Sequence, residues 1–349
     1  MRWDRTADLD QLERTWPIVT DSPIKVRTNP TIPLTRQQLA KAGTGRRILE
    51  RDFSLAAPNM YVPNAALYDS QTIEIAARFH PNRIRHYLPI EIRTRAHYLR
   101  NPERIIHSWS AARLYGLESL SSLADAYFLS NKRNCRPKTA LSPFLCRWDA
   151  QTRPPFVPRS GVDPVCPEAL VVPPWLAAAS ILDSTSRQTH SWWTPQVPRW
   201  KPYDVRLIQV ADAICRLWGL TPDFLATSLA PFLTTRNRSL ILKYADSGAD
   251  SPAETSLRIS LSKLSPTLET QIPITDDAGM ISVPDMGWKE QRILIYFDGS
   301  LHRDQERFEN DQSRMTRLTL AGYRFFRFTR RDLHNLPLVR QLIQEALTQ

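Results

Sequence analysis

The chain has 349 residues, with 46 Lys and Arg against 35 Asp and Glu and 42% hydrophobic residues. That is enough for two or three domains with sizeable cores, and no apolar run approaches the length that spans a bilayer. Cys135, Cys146, Cys166 and Cys215 lie far apart, which excludes paired C-x-x-C zinc ligands and a small disulfide scaffold and predicts reduced thiols in a cytoplasmic protein.

The net charge of +11 is unevenly spread. Residues 1–70 carry 10 basic and 8 acidic side chains, residues 71–245 carry 23 and 12, and residues 246–349 carry 13 and 15. These three stretches are the expected domains. A basic body joined to a slightly acidic end suits a polyanionic substrate; a merely soluble basic surface is the plainer alternative.

At the start, Arg2 and Arg5 are mixed with Asp4, Asp8 and Asp10 and no apolar stretch follows, so a signal peptide is not expected. A short helix is predicted around Leu9 to Trp16. Pro33 to Gly43 reads as the first helix of a helix-turn-helix, with Thr35 as N-cap and Gly43 as stop. Thr44 to Arg51 is the second helix, and Asp52 to Pro63 the wing. Arg36, Arg46, Arg47 and Arg51 are then candidate contacts to DNA phosphates or base edges. These residues resemble the N-terminal winged-helix domain of the abortive-infection antitoxin family, in which a helical stretch like Ile106 to Leu117 often follows. A small helix pair that serves only as a protein contact is the alternative.

The middle stretch concentrates Arg78, Arg83, Arg85, Arg93, Arg95, Arg100, Arg104 and Arg113. Residues 118–205 carry little legible pattern. Ten prolines fall between Pro154 and Pro202, which disfavours long helices and central strands. Trp148, Trp175, Trp192, Trp193 and Trp200 argue against a disordered tail, so irregular β structure packed on the body is expected. Those aromatics suit core or interface packing, with base stacking as the alternative. Asp204 to Trp218 reads as a strand followed by a helix, and Pro222 to Tyr244 as further helix.

The most informative stretch is Ser251 to Asp332. Ser251-Pro252 fits an N-cap followed by proline at the first helical position, and Leu257, Leu261 and Leu264 recur at helical spacing. Glu254 shares that inward face. Two strands, Gln271 to Thr275 and Met280 to Asp285, flank a turn. A third, Ile293 to Asp298, places Leu294, Tyr296 and Asp298 on one face. Arg303 to Leu320 is a helix with Phe308, Met315 and Leu318 facing in and Asp311 beside them. Gly322 stops it, Tyr323 to Thr329 is a fourth strand, and Leu333 to Leu347 a last helix. Carboxylates from a helix start and adjacent strands, Glu254, Asp285 and Asp298, are what a protein needs to hold Mg²⁺ against a phosphate.

Each of these residues also has a plainer reading. Ser251-x-x-Glu254 is a capping box, Asp298-Gly299 a common turn, and His302 on a turn is usually solvated. Asp311 can pair with Arg307 or Arg314, and Arg327 can be a surface charge.

Taken in order, Glu254, Asp285, Asp298, Gly299, His302, Asp311, Gly322, Arg327 and Thr329 resemble the PD-(D/E)xK nuclease superfamily, in the branch of Vsr-like endonuclease domains. The resemblance covers about the last hundred residues. It departs at Tyr296, where that branch carries a Glu; the very-short-patch repair endonucleases resemble this chain in having an aromatic residue there. It implies a restriction-endonuclease-like fold and phosphodiester hydrolysis with Mg²⁺ or Mn²⁺. Asp285 and Asp298 would hold the metal, Glu254 would assist or orient a water, His302 would act as general acid or base, and Arg327 would steady developing charge.

The expectation is an α/β protein with three parts: an N-terminal winged helix-turn-helix, a mixed α+β middle, and a restriction-endonuclease-like end. The first functional reading is a metal-dependent DNA endonuclease in restriction, repair or defence. The second is a non-catalytic DNA-binding regulator or antitoxin with a degenerate nuclease fold. The third is a scaffold subunit of a defence complex. DNA is the expected partner, with room for a homodimer or a defence-system partner protein.

Overall fold

The structure is a computed structural model that describes residues 8–16, 29–131, 134–148, 155–264, 268–276, 279–298 and 314–348. The fold is mixed α/β, with several small sheets. The chain divides into two compact units. One runs up to Trp193 and adds Leu217–Gly219 and Asp223–Ser239; the other comprises Thr194–Arg216, Leu220–Pro222 and Leu240–Gln349. Among the described residues no helix is long and apolar enough to cross a membrane.

In the first unit, α1 (Leu9–Thr15) starts where the Asp8 carboxylate accepts the Gln11 N–H at 2.8 Å. Its last neighbour, Trp16, packs edge-on against Trp218. A short strand, β1 (Leu34–Thr35), leads into α2 (Arg36–Lys41) and α3 (Arg46–Asp52). Thr35 and Gln38 close a capping box: the Gln38 N–H donates to Thr35 Oγ1 at 3.2 Å, and the Thr35 N–H to Gln38 Oε1 at 2.7 Å. Gly43, with φ +84°, turns the chain out of α2 at little cost. The hairpin β2 (Phe53–Ala57) and β3 (Met60–Pro63) completes a sheet ordered β1-β3-β2, antiparallel throughout. Its inner residues Ala56, Ala57, Met60 and Val62 pack on Leu88, Ile92 and Ala96.

The latter three lie on or just before α5 (Ile90–Arg100), which follows α4 (Ser70–Phe79). Beyond α5 come β4 (Ile105–Ile106), α6 (Ser108–Leu114), β5 (Tyr127–Ser130), β6 (Phe144–Arg147) and α7 (Pro174–Ser186). β4 is antiparallel to β5, and β5 is parallel to β6. α5 is buried over most of its length although its sequence reads E-I-R-T-R-A-H. Each buried charge has partners. Arg93 donates to the carbonyls of Leu88 (2.9 Å) and Ala124 (2.6 Å). Arg95 grips Asp163 through two nitrogens, at 2.7 and 2.9 Å, with both side chains 1% exposed. Glu91 accepts from Arg113 at 2.9 Å. So Arg93, Arg95 and Arg113, expected to belong to a basic surface, are internal structural groups.

Two expectations from the sequence are corrected here. The Pro- and Trp-rich stretch includes the helix α7, because Pro174 sits at its first turn, where the missing N–H costs nothing. Asp204 to Trp218 is not a strand and a helix but one helix, α8 (Pro202–Trp218). The run Val205 to Val210 looked like a strand through its β-branched residues. Its apolar positions 205, 208, 211 and 215 in fact line one helical face, and all are buried. The predicted helix from Pro222 divides into α9 (Pro222–Ser228) and α10 (Thr235–Tyr244), joined through a 3-10 turn.

In the second unit, α11 (Pro252–Leu261) precedes β7 (Glu269–Thr270), the separate hairpin β8 (Ile274–Asp276) and β9 (Gly279–Ser282), then β10 (Met286–Trp288) and β11 (Ile293–Asp298). A helix, α12, is described over 314–320. β12 (Arg324–Thr329) and α13 (Leu336–Thr348) end the fold. The sheet runs β12-β11-β10-β7, with β11 and β12 parallel and the other pairs antiparallel. β12 is therefore an edge strand. Gly287 lets β10 lie close on β11, since a Cβ there would strike the Ile293 carbonyl. Ile272, Ile274, Ile281, Leu294 and Leu318 form a core against which Tyr296, Met315, Tyr323 and Phe325 pack. Arg324 reaches from β12 to the Ala346 carbonyl near the end of α13.

Removing one partner of the Arg95–Asp163 pair leaves a buried charge without its counter-ion, held only by neutral groups such as the Asn29 and Thr31 carbonyls. Asp163→Ala should cost about 3–5 kcal/mol of unfolding free energy in urea titrations, whereas the exposed Arg136→Ala should change it by less than about 0.5 kcal/mol.

Candidate active site

Glu254 enters the site from the first turn of α11 and is 6% exposed. Both readings of this residue meet in one geometry. Ser251 caps the helix by accepting the Glu254 N–H at 3.2 Å, and its hydroxyl donates to Glu254 Oε1 at 2.8 Å. The Asp250 N–H donates to Oε2 at 2.9 Å. The capping box fixes the carboxylate, and each oxygen keeps a lone pair for another group. Burial pushes the Glu254 carboxyl up to about 7, against the pull of those two hydrogen bonds, and repulsion from Asp285 and Asp250 adds to the rise.

Asp285 does not end a strand, as the sequence suggested. It lies in the bend between β9 and β10, and three contacts hold it there. Its Oδ2 accepts the Phe297 N–H at 2.6 Å, its carbonyl accepts the Gln271 N–H at 3.0 Å, and Met286 beside it pairs with Ile295. Among the described residues nothing donates to its Oδ1. Burial raises the Asp285 carboxyl, and the repulsion of Asp250 adds to this. Glu254 is buried and Asp285 half-buried, with one Asp285 oxygen left over, and a hard divalent cation prefers such oxygen donors. Glu254, Asp285 and Asp298 do not, however, bring one oxygen each within 4.8 Å of one another.

On β11, Tyr296 and Asp298 fall on one face, with Arg327 and Thr329 opposite them in the parallel register of β12. Asp298 and Arg327 are half-buried. The Tyr296 hydroxyl donates to Ser282 Oγ at 2.9 Å, and its ring lies in the core cluster. Burial raises its phenol, Arg314 and Arg327 oppose that rise, and Asp285 adds to it. So Glu254 and Asp285 feel one another, and Asp285, Arg327 and Tyr296 share a second neighbourhood. His302, with Gly299 and Asp311, lies outside the described residues.

Ser282 and Asp250 were missed by sequence reasoning. Ser282 carries no local signal, since only the fold brings β9 under Tyr296. Asp250 had a faint one, as an acid just before an N-cap serine.

The four arginines proposed for DNA lie on α2 and α3 and are exposed. Arg46 pairs with Glu50 at 2.7 Å, and Arg51 with Asp52 at 2.7 Å. Such exposed pairs are weak and yield to a stronger anion. Arg36 and Arg47 have no acidic partner among the described residues.

A second cluster lies in the first unit. Asp125 Oδ1 sits 3.1 Å from His80 Nε2 and 2.8 Å from His86 Nε2, all three side chains buried. Two imidazoles and a carboxylate can bind a metal, but the hydrogen bonds here oppose it. His80 Nδ1 accepts the N–H groups of Asn82 and Ile84, at 3.1 and 3.3 Å. Its proton must therefore sit on Nε2, where a metal would need a lone pair. A ligating imidazole normally donates from its other nitrogen, and among the described residues His86 Nδ1 has no partner. The cluster is a buried carboxylate held by two neutral N–H donors. Burial favours protonation of Asp125, but the hydrogen bonds from His80 and His86 outweigh it and hold the carboxyl well below its usual range.

No known protein family, curated protein or solved structure matches this chain.

Burial, with the Arg93 charge, pushes His86 down to about 4, and burial pushes His97 down to about 3. Unfolded histidine titrates near 6.5, so the unfolded chain takes up more protons below that value. Their contribution to stability is complete above pH ~6.5 and is lost as the pH falls towards 4. Between pH 6.5 and 4.5 the urea midpoint should therefore fall less in His97→Phe than in the wild type, because the raised Glu254 carboxyl, which acts in the opposite sense over that range, is common to both. Added Zn²⁺ should give no gain.

Proposed function

We propose that this protein is a metal-dependent DNA endonuclease whose site is built from Glu254, Asp285, Asp298 and Arg327. The observation that carries the reading is the buried carboxylate of Glu254 near the half-buried one of Asp285. They come from a helix start and a strand junction and repel each other without a cation between them. A bound Mg²⁺ or Mn²⁺ would supply polarisation of a phosphate oxygen and a more acidic water. The remaining work belongs to the chain. The Ser251 hydroxyl and the Asp250 N–H hold Glu254 in one orientation, ready to accept a proton from an attacking water. The Phe297 N–H fixes Asp285. Arg327, opposite Tyr296 in the sheet, is placed to meet negative charge gathering on a phosphate. His302 remains the candidate proton donor for the leaving oxygen.

Support for DNA as substrate comes from the first unit. The strand, two helices and hairpin, ordered β1-β3-β2, suit a winged helix, and they present Arg36, Arg46, Arg47 and Arg51 outwards. In this reading the front of the chain grips DNA and the back cuts it, in the cytoplasm, in restriction, repair or defence against foreign DNA.

The second reading is a non-catalytic DNA-binding regulator. Tyr296 favours it, since this phenol is tied to Ser282 instead of offering a carboxylate.

Supercoiled plasmid incubated with the protein and Mn²⁺ should be nicked or linearised. Asp285→Ala and Asp298→Ala should each lower the rate roughly a hundredfold or more, with EDTA abolishing it. Tight binding to one DNA sequence, indifferent to metal and with no cutting, would establish the regulator instead. The double variant Arg36→Ala/Arg47→Ala should weaken DNA binding and flatten its salt dependence by about two units of slope.

A further inference from the structure

The proposed cutting site depends on two carboxylates that reach it by separate routes: Glu254 on α11 and Asp285 ahead of β10. One buried side chain, Asp212 on α8, ties both routes together. It is 1% exposed and is not near in sequence to either residue.

The first route runs through Asp212 Oδ2. It accepts the Thr255 hydroxyl at 2.7 Å and Arg258 Nη2 at 2.7 Å. Those two residues flank Glu254 on α11, one position and one turn further on. One turn earlier on α8, Gln209 adds a brace of its own. Its Nε2 donates to the Pro252 carbonyl at 2.8 Å and lies 2.9 Å from Ser256 Oγ. The opening turns of α11 are therefore pinned to α8 on both sides of Glu254.

The second route runs through Asp212 Oδ1, which accepts the Asp246 N–H at 2.7 Å. The Asp246 carboxylate accepts the Thr270 hydroxyl at 3.1 Å and the Gly248 N–H at 2.6 Å. Thr270 pairs with Met286, the residue after Asp285, and its other neighbour, Gln271, donates its N–H to the Asp285 carbonyl. Two hydrogen bonds thus lead from Asp212 to the strand that sets Asp285.

We propose that Asp212 is a positioning residue that fixes the separation of Glu254 and Asp285 through Thr255 and Arg258 on one side and Asp246 and Thr270 on the other. It touches neither substrate nor cation, and the inference rests on the nuclease reading above. A carboxylate buried among three donors from two elements is over-specified for packing alone, since an apolar side chain of similar volume would fill the same space. Its three hydrogen bonds give what packing does not: a fixed placement of the start of α11 against the segment around Asp246.

The test uses the full chain. Asp212→Asn removes the charge that holds Arg258 and leaves Arg258 without a full partner, so it can also unfold the unit. Thr255→Val/Thr270→Val removes one hydrogen bond from each arm while keeping shape and leaving Asp212 with Arg258. Circular dichroism and thermal melting select the variants that stay folded. Mn²⁺ affinity is read by titration calorimetry in the absence of DNA, and kcat and KM on plasmid are read separately. The expected result is a ten- to hundredfold loss of Mn²⁺ affinity in the folded variants. It should come with a fall in kcat at fixed Mn²⁺ that saturating Mn²⁺ recovers, and an unchanged KM for DNA. A merely structural role would scale the active fraction and would not respond to Mn²⁺. A folded variant with wild-type Mn²⁺ affinity and kcat overturns the proposal while leaving the nuclease reading standing. Loss of Mn²⁺ binding in Asp285→Ala confirms that reading on its own, and a wild-type chain that takes up no Mn²⁺ overturns both.

Discussion

A charge can leave water only where other groups of the chain take the water's place, and this requirement shapes both units. In the first unit α5 carries Glu91, Arg93 and Arg95 inwards, and the surroundings are arranged around them. The carbonyls of Leu88 and Ala124 turn towards Arg93, Asp163 comes from 68 residues away to meet Arg95, and Arg113 crosses from α6 to Glu91. In the second unit Asp212 plays the same part for α11 and the approach to β10. Charges of this kind contribute little net stability, because desolvation offsets most of the attraction. In this arrangement each of them meets a partner.

The electrostatic case for a polyanionic partner changes accordingly. The surplus of positive charge in the middle of the chain is not all surface, since Arg93, Arg95 and Arg113 lie inside. The argument for DNA then rests more on the exposed arginines of α2 and α3 than on the total. The same need for partners explains the histidines. His80 and His86 serve Asp125 as donors, and the direction of the His80 hydrogen bonds separates such a clamp from a metal site that would look alike by proximity alone.

What the sequence revealed well was local. Thr35 with Gln38, Ser251 with Pro252 and Gly43 at a positive φ are signals within one turn, and the structure has all of them. The alternation along Ile293 to Asp298 is also a local rule, and Leu294 and Tyr296 do share one cluster. What stayed hidden was set by distant partners. Nothing near Asp212 announces Thr255 or Asp246, and nothing near Tyr296 announces Ser282. The helix α7 was obscured because prolines were read as breakers, whereas position decides their effect: Pro174 begins a helix. α8 was obscured because apolar residues at 205, 207, 208 and 210 are too dense over six residues to choose between the two periods. Asp285 was placed in a strand for want of a turn signal, and its bend is held by the N–H of Phe297 on the neighbouring strand.

The edge of the sheet has a consequence for the protein as a material. Among the described residues β12 has no strand on its outer side, and it carries three phenylalanines, Phe325, Phe326 and Phe328. Such a segment is a template for self-association. Arg324 and Arg327 interrupt it, and Arg330 and Arg331 follow directly. Each is a large, hydrated cation that an incoming copy would have to bury against its own like charge. Arg324 is also drawn across to the Ala346 carbonyl, which fastens the last helix beside the open strand. Charges set among aromatic residues in this way are the usual means by which an edge strand is kept from pairing with its own copies.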